Sequence, residues 1–277
     1  MKFSIISLKV NLVYMKVKKL IKNTYIRLFK SSKTKYKIVS LGSGCDIKLF
    51  LINPLLPHYD TEFFDWLWNF DGGLFTVKKI IEDEFSGFNN VGEFYSGIHP
   101  KFESKLKSEI KSNQVSLKFD DKDTYYNIPH KYPEIVFMHY ENIPDIVSFN
   151  PKRIDSFRRL IKKNNTFFVY YRQFDEPINS EYINNIDYDL SEKLNYWQKE
   201  SLDFIEFINK TNPNLKLLSL FAMPYDFNKG DAYKLINSTK IPKNLYFDFL
   251  FYKGIPENDQ IIPAKKQMKK IFNKYLK

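Results

Sequence analysis

Residues 36–46 read YKIVSLGSGCD, and the fold follows from how this stretch changes character. Tyr36 to Leu41 is a short aromatic and β-branched run suited to a strand. Gly42, Ser43 and Gly44 make a small-residue turn, and residues 46–52 (DIKLFLI) then place Ile47, Phe50 and Leu51 on one helical face, stopped before Pro54. Strand, tight turn and helix in so short a space is the opening unit of an α/β layer. Cys45, the only cysteine, falls where the turn becomes the helix.

Downstream, residues 62–69 (EFFDWLWN) are densely aromatic, and a helix is predicted over 74–85 with Leu74, Val77, Ile80 and Ile81 in register. The pattern weakens between residues 92 and 133, where a hairpin is predicted to pair 115–119 with 124–127 across the turn-prone 120–123. The second half alternates cleanly. Strands are predicted at 134–139 (EIVFMH), 166–172 (TFFVYYR), 215–222 (LKLLSLFA) and 245–251 (LYFDFLF). Helices are predicted at 155–162, at 191–209 with Leu194, Trp197, Phe204, Ile205 and Ile208 on one face, and after Pro263 with Met268, Ile271, Phe272 and Tyr275 inside. Nearly continuous apolar strands separated by helices predict a mostly parallel sheet covered on both faces, a three-layer α/β sandwich. Such sheets place their sites at the carboxyl ends of the strands. Cys45, His139 and Arg172 each fall at or just after such an end.

The chain of 277 residues, 43% hydrophobic, is long enough to bury a full core as one domain over residues 36–277, preceded by an arm over residues 1–35. Its net charge of +11 is concentrated at the start. Residues 1–37 hold eleven of the 43 Lys and Arg and no acid, leaving 32 basic residues against 32 acidic ones in the body. A basic arm on a neutral body argues against nucleic acid and for peripheral contact with anionic lipid, or for a solubilising tail. Leu12, Val13, Val17, Leu20, Ile21, Ile26, Leu28 and Phe29 interleave with lysines as in a helix lying on a membrane surface, or in an ordinary solvated helix docked on the body. No stretch approaches the roughly 18–20 apolar residues that span a bilayer. The opening run lacks a small-residue cleavage site, and Met15 is a second candidate start. With no disulfide available, the expected location is cytoplasmic, peripheral to the inner face of the membrane if the arm binds lipid.

A cysteine at a helix start is favoured as thiolate by the backbone N–H groups and the helix dipole, and so is a candidate nucleophile. The same amides, around Ser43 and Gly44, would receive the oxyanion of an acyl intermediate. A small buried hydrophobe is the plainer reading of a lone cysteine. LGSGCD lacks both the third glycine of a dinucleotide fingerprint and the Lys-Ser/Thr of a P-loop, so no cofactor is expected. His58, His99, His130 and His139 show no zinc-type spacing, so no metal is expected either. His139 ends an apolar strand, where it serves as a base for Cys45 or as a capped strand end. Asp65, between Phe64 and Trp66, orients that imidazole or caps a helix. Arg172 holds an anionic group or forms a structural ion pair, and Arg158 and Arg159 read as a solvated helix face. Ser43 is a competing nucleophile, placed as in SGNH esterases, whose doubly wound sheet matches the one inferred.

Taken in order, IVSLGSGC (38–45), FDW (64–66), FMH (137–139), FRRL (157–160) and FFVYYR (167–172) resemble a bacterial and viral family of papain-like cysteine peptidases, a domain of unknown function. The resemblance covers roughly residues 36–225. It implies a thiol nucleophile at Cys45 and a base at His139, and it brings a papain-like α+β fold as an alternative. Phe63 and Tyr140 depart from the family's usual proline and acidic residue, leaving the third catalytic member open. The expectation is a cysteine-dependent hydrolase or acyltransferase acting on a peptide, glycan or small-molecule substrate. The alternatives are an SGNH-like esterase acting on surface polysaccharide through Ser43, and a non-catalytic glycan- or partner-binding module.

Overall fold

A computed structural model describes residues 35–42, 52, 62–69, 72–96, 126–128, 130–137, 140, 142–173, 190–223, 227–236, 241–251 and 258–276. The chain divides into two units, residues 36–275 and residues 1–35 with 276–277. The larger holds every described strand and helix. Its strands are β1 (Lys37–Ser40), β2 (Leu67–Trp68), β3 (Tyr95–Ser96), β4 (Tyr126–Ile128), β5 (Tyr132–Phe137), β6 (Thr166–Gln173), β7 (Lys216–Met223) and β8 (Leu245–Phe251). Its helices are α1 (Gly73–Glu82), α2 (Ile143–Leu160), α3 (Leu190–Thr211), α4 (Lys229–Lys234) and α5 (Asn258–Tyr275).

The fold is α/β. β1, β6, β7 and β8 form a fully parallel sheet in the order β1-β6-β7-β8. These strands are apolar at nearly every position because helices cover both faces. On one face Trp197 of α3 packs its indole 4.8 Å from Phe247 and 5.3 Å from Phe221, and Phe157 of α2 lies 6.0 Å from Phe168. On the other, Tyr275 of α5 lies 4.9 Å from Tyr246, and Tyr246 stacks on Phe167 at 6.1 Å. The two-residue period of β6 therefore sends Phe168, Tyr170 and Arg172 toward α3 and Phe167 the opposite way.

The long connection from β1 to β6 builds a second, antiparallel sheet in the order β2-β5-β4-β3. The strand expected over 134–139 is β5, so it belongs to this sheet and not to the parallel one. Its apolar run reads like a parallel core strand because Ile135, Val136 and Phe137 are all buried here too. The hairpin expected across 120–123 falls mostly outside the described residues. Its far end does not behave as expected, since Tyr126 and Asn127 already have partners on both sides, in β3 and β5. A cluster of edge-to-face rings, Phe63 with Phe64, Phe85 and Phe88 at 5.1 Å and Phe64 with Phe157 at 5.0 Å, joins α2 to the segment that leads into β2. Each such phenylalanine contributes roughly 1.5–3 kcal/mol through burial.

Three helix boundaries differ from expectation, those of α1, α2 and α5, the last of which begins at Asn258, five residues before the expected start at Pro263. α1 stops at Glu82 because Glu84 (φ 53°) and Phe85 (φ 62°) turn left-handed, donating their N–H groups back to Ile81 and Ile80. That turn delivers the Phe85 ring to the aromatic cluster. α2 begins at Ile143, twelve residues before the expected start, capped by the Asn142 side chain on the Asp145 N–H at 2.9 Å. The helix expected over 46–52 lies outside the described residues except for Ile52. Among the described residues no helix is long and apolar enough to cross a membrane.

Candidate functional site

β1 leads toward Cys45. Beyond Ser40 the ladder to β6 continues, Leu41 donating to the Val169 carbonyl at 3.0 Å. Gly42 then turns at φ +87°, donating to Ser40 Oγ at 3.2 Å, and a Cβ there would sit 3.4 Å from the Phe64 carbonyl oxygen. Ser43, Gly44 and Cys45 lie outside the described residues, as do His139, His58 and His99. β5 leads toward His139, and its last residue, Phe137, pairs with Leu67. The two routes thus reach one short element: Gly42 abuts the backbone of Phe64, and Phe137 is laddered to Leu67 three residues on.

That element is the 3₁₀ turn Phe63–Trp66 with β2. Asp65 is fully buried in it, and its Oδ2 accepts the Glu62 N–H at 2.7 Å while the Glu62 carboxylate accepts the Asp65 N–H. This reciprocal cap satisfies two donors that would otherwise be orphaned at the start of the turn. Glu62 is also 3.5 Å from Lys37 Nζ, tying the turn to the start of β1. Of the two roles open to Asp65, the capping one is visible in these bonds.

Arg172 stands near the carboxyl end of β6, three residues beyond Val169, the partner of the last β1 residue, Ser40. Its Nε lies 2.9 Å from Glu200 Oε1, with the two side chains 3% and 0% exposed. The same carboxylate accepts the Tyr170 hydroxyl and the Leu74 N–H, each at 2.9 Å. Leu74 is in the first turn of α1, so Glu200 also meets the positive end of that helix. The neighbouring backbone must come close: Gly73 has φ +50°, and a Cβ there would fall 2.1 Å from Glu200 Oε2 and 2.6 Å from Arg172 Nη2. Asn69 holds the turn, donating to the Gly73 carbonyl at 2.7 Å. The ion-pair reading of Arg172 is therefore the one its contacts display.

Glu200 is the residue that sequence reasoning missed. A signal existed, for Glu200 falls three residues after Trp197 and four before Phe204, in the middle of an apolar helical stripe. A carboxylate there demands a buried cation. Another position is plainly peripheral: His130 is exposed in the turn before β5, its Nε2 3.2 Å from the Tyr95 hydroxyl. Among the described residues no group of three or more His, Cys, Asp or Glu could hold a metal ion. Comparison with family models, with curated proteins and with solved structures finds no match to this chain.

Proposed function

We propose that the chain is a cysteine-dependent hydrolase or acyltransferase, of the kind that the resemblance to papain-like cysteine peptidases implies. The observation that supports it is the convergence of Gly42 and Phe137 on residues 63–68. Cys45 follows Gly42 by three residues and His139 follows Phe137 by two, so chain length alone limits them to about 11 Å and 7 Å from those anchors. In this reading His139 takes the thiol proton, the thiolate attacks a carbonyl, and amides around Ser43 and Gly44 receive the oxyanion. Asp65, in the same rigid turn, is the candidate to orient His139. The buried Glu200 pair keeps Arg172 at the same edge of the sheet. Peptide, ester and thioester acyl groups are all substrates of this chemistry, which needs no cofactor.

A second reading is an SGNH-like esterase with Ser43 as nucleophile, since that class places its serine after the first strand of a parallel sheet and Ser43 follows β1. One assay separates the two. Hydrolysis of an activated ester and an activated thioester is measured for Cys45→Ala, Cys45→Ser, His139→Ala and Ser43→Ala. The thiol reading expects loss in the first three and activity in the last. Full activity in Cys45→Ser would remove it, and loss confined to Ser43→Ala would install the esterase. The lysine-rich residues 1–37 would hold the enzyme at an anionic membrane surface on the cytoplasmic side.

A further inference from the structure

A groove of about 740 Å³ opens between α2 and the amino ends of β1 and β6, and among the described residues its lining includes Lys37, Lys152, Arg153, Arg159 and Lys163 with one carboxylate, Glu62. That carboxylate already lies 3.5 Å from Lys37. Among the described residues Lys152, Arg159 and Lys163 enter no ion pair. Residues 152, 156, 159 and 163 are spaced by four, three and four, which stacks them along one side of α2 and its closing turn. The other side of the same helix is different: Arg158 has Asp155 at 3.9 Å and donates to the Glu84 carbonyl at 2.9 Å. Complementing the helix dipole accounts for Arg158 and Arg159 in the last turn. It does not extend to Lys152, further into the helix. Phe149 completes the lining, 51% exposed, with the Arg153 guanidinium 5.2 Å from its ring centroid.

We infer that this groove binds a multivalent phosphate-bearing ligand, its anionic groups on the Lys152–Arg159–Lys163 stripe and a ring or apolar portion against Phe149. Lys152, Arg159 and Lys163, in no ion pair among the described residues, offer three positive charges, matched to a ligand with at least two phosphates. The Arg159 guanidinium fork suits the oxygen geometry of phosphate. The groove lies at the amino end of β1, five residues or roughly 16 Å along the strand from Gly42. It therefore stands or falls apart from the proposed thiol chemistry.

The test titrates the full chain with inorganic tripolyphosphate at physiological salt by calorimetry. Two triple variants remove equal charge: Lys152→Ala/Arg159→Ala/Lys163→Ala in the groove, and Lys266→Ala/Lys269→Ala/Lys270→Ala, exposed on α5. Both keep the basic residues 1–37, so their difference reports the groove alone. Wild type and the α5 variant are expected to bind alike, and the groove variant at least about tenfold more weakly, since each charge-assisted contact removed is worth that much. Should the triple fail to fold, Arg159→Glu alone carries the same expectation. Equal weakening in both triples, or no binding by wild type, overturns the site. Flotation with phosphatidylserine vesicles identifies the source: loss in the groove variant assigns a lipid headgroup, and unchanged flotation with weakened tripolyphosphate binding assigns a soluble ligand.

Discussion

Replacing Glu200 with alanine takes one acceptor away from three buried donors, Arg172 Nε, the Tyr170 hydroxyl and the Leu74 N–H. Removing one partner of a buried ion pair costs about 3–5 kcal/mol, because the remaining charge stays desolvated. A buried donor that loses its acceptor adds about 1–3 kcal/mol. These terms share one network and do not sum, so the expected loss is about 4–6 kcal/mol. The Lys78–Asp203 pair is the control, since at 2.9 Å its side chains are 25% and 38% exposed and Asp203→Ala should cost no more than about 1 kcal/mol. Urea unfolding followed by tryptophan fluorescence reads both, and Trp197 lies one turn from Glu200 on α3. Replacing the pair together, Arg172→Met with Glu200→Leu, should recover most of the loss by exchanging charge for packing. A Glu200→Ala protein within about 1 kcal/mol of wild type would refute the claim that this carboxylate holds the sheet edge together.

Gly73→Ala places a methyl group in the left-handed region and 2.1 Å from the Glu200 carboxylate, so a loss of at least about 2 kcal/mol is expected in the same urea assay. Asp65→Asn keeps the side-chain acceptor of the cap, so stability should change by less than about 1 kcal/mol. A much larger fall in ester or thioester turnover would mark Asp65 as a positioning residue, and unchanged turnover would leave it a cap. Burial and the nearby Asp83 push the Tyr132 phenol well above its ordinary value of 10.0. In the unfolded chain it ionises near pH 10, so stability is full below that pH and falls as pH rises toward the folded value, by up to about 1.4 kcal/mol per pH unit. Tyr132→Phe should flatten this alkaline slope in unfolding measured from pH 9 to 11, and an unchanged slope would contradict it.

The strands of the parallel sheet were legible because covered strands are apolar without alternation: β6, β7 and β8 agree with the sequence pattern to within a residue at each end. The same property hid which sheet β5 belongs to. A short antiparallel strand packed under an aromatic cluster is as apolar as a parallel one, and pairing depends on distant partners such as Leu67 that no local pattern announces. α2 reads as short because Pro144 and Pro151 interrupt it. Pro144 sits in the first turn, where its missing N–H costs nothing, and Pro151 gives up one helical bond in a helix otherwise fixed by packing. At the candidate site, Arg172 and Asp65 were legible as residues needing partners. The partner of Arg172, Glu200, came from a helix whose approach only the fold defines, whereas that of Asp65 is the Glu62 backbone three residues earlier. The basic groove escaped a charge count altogether, because a body that is neutral in sum can still gather four cations along one helix and its closing turn, beside Lys37 at a strand start.

The central claim is that Cys45 is a thiolate nucleophile served by His139. Because the chain has a single cysteine, the rate of iodoacetamide alkylation against pH reports that thiol alone. The account predicts a titration midpoint well below the roughly 8.5 of a free thiol, moving back toward it in His139→Ala. A midpoint at the free-thiol value, identical in wild type and His139→Ala, would contradict it.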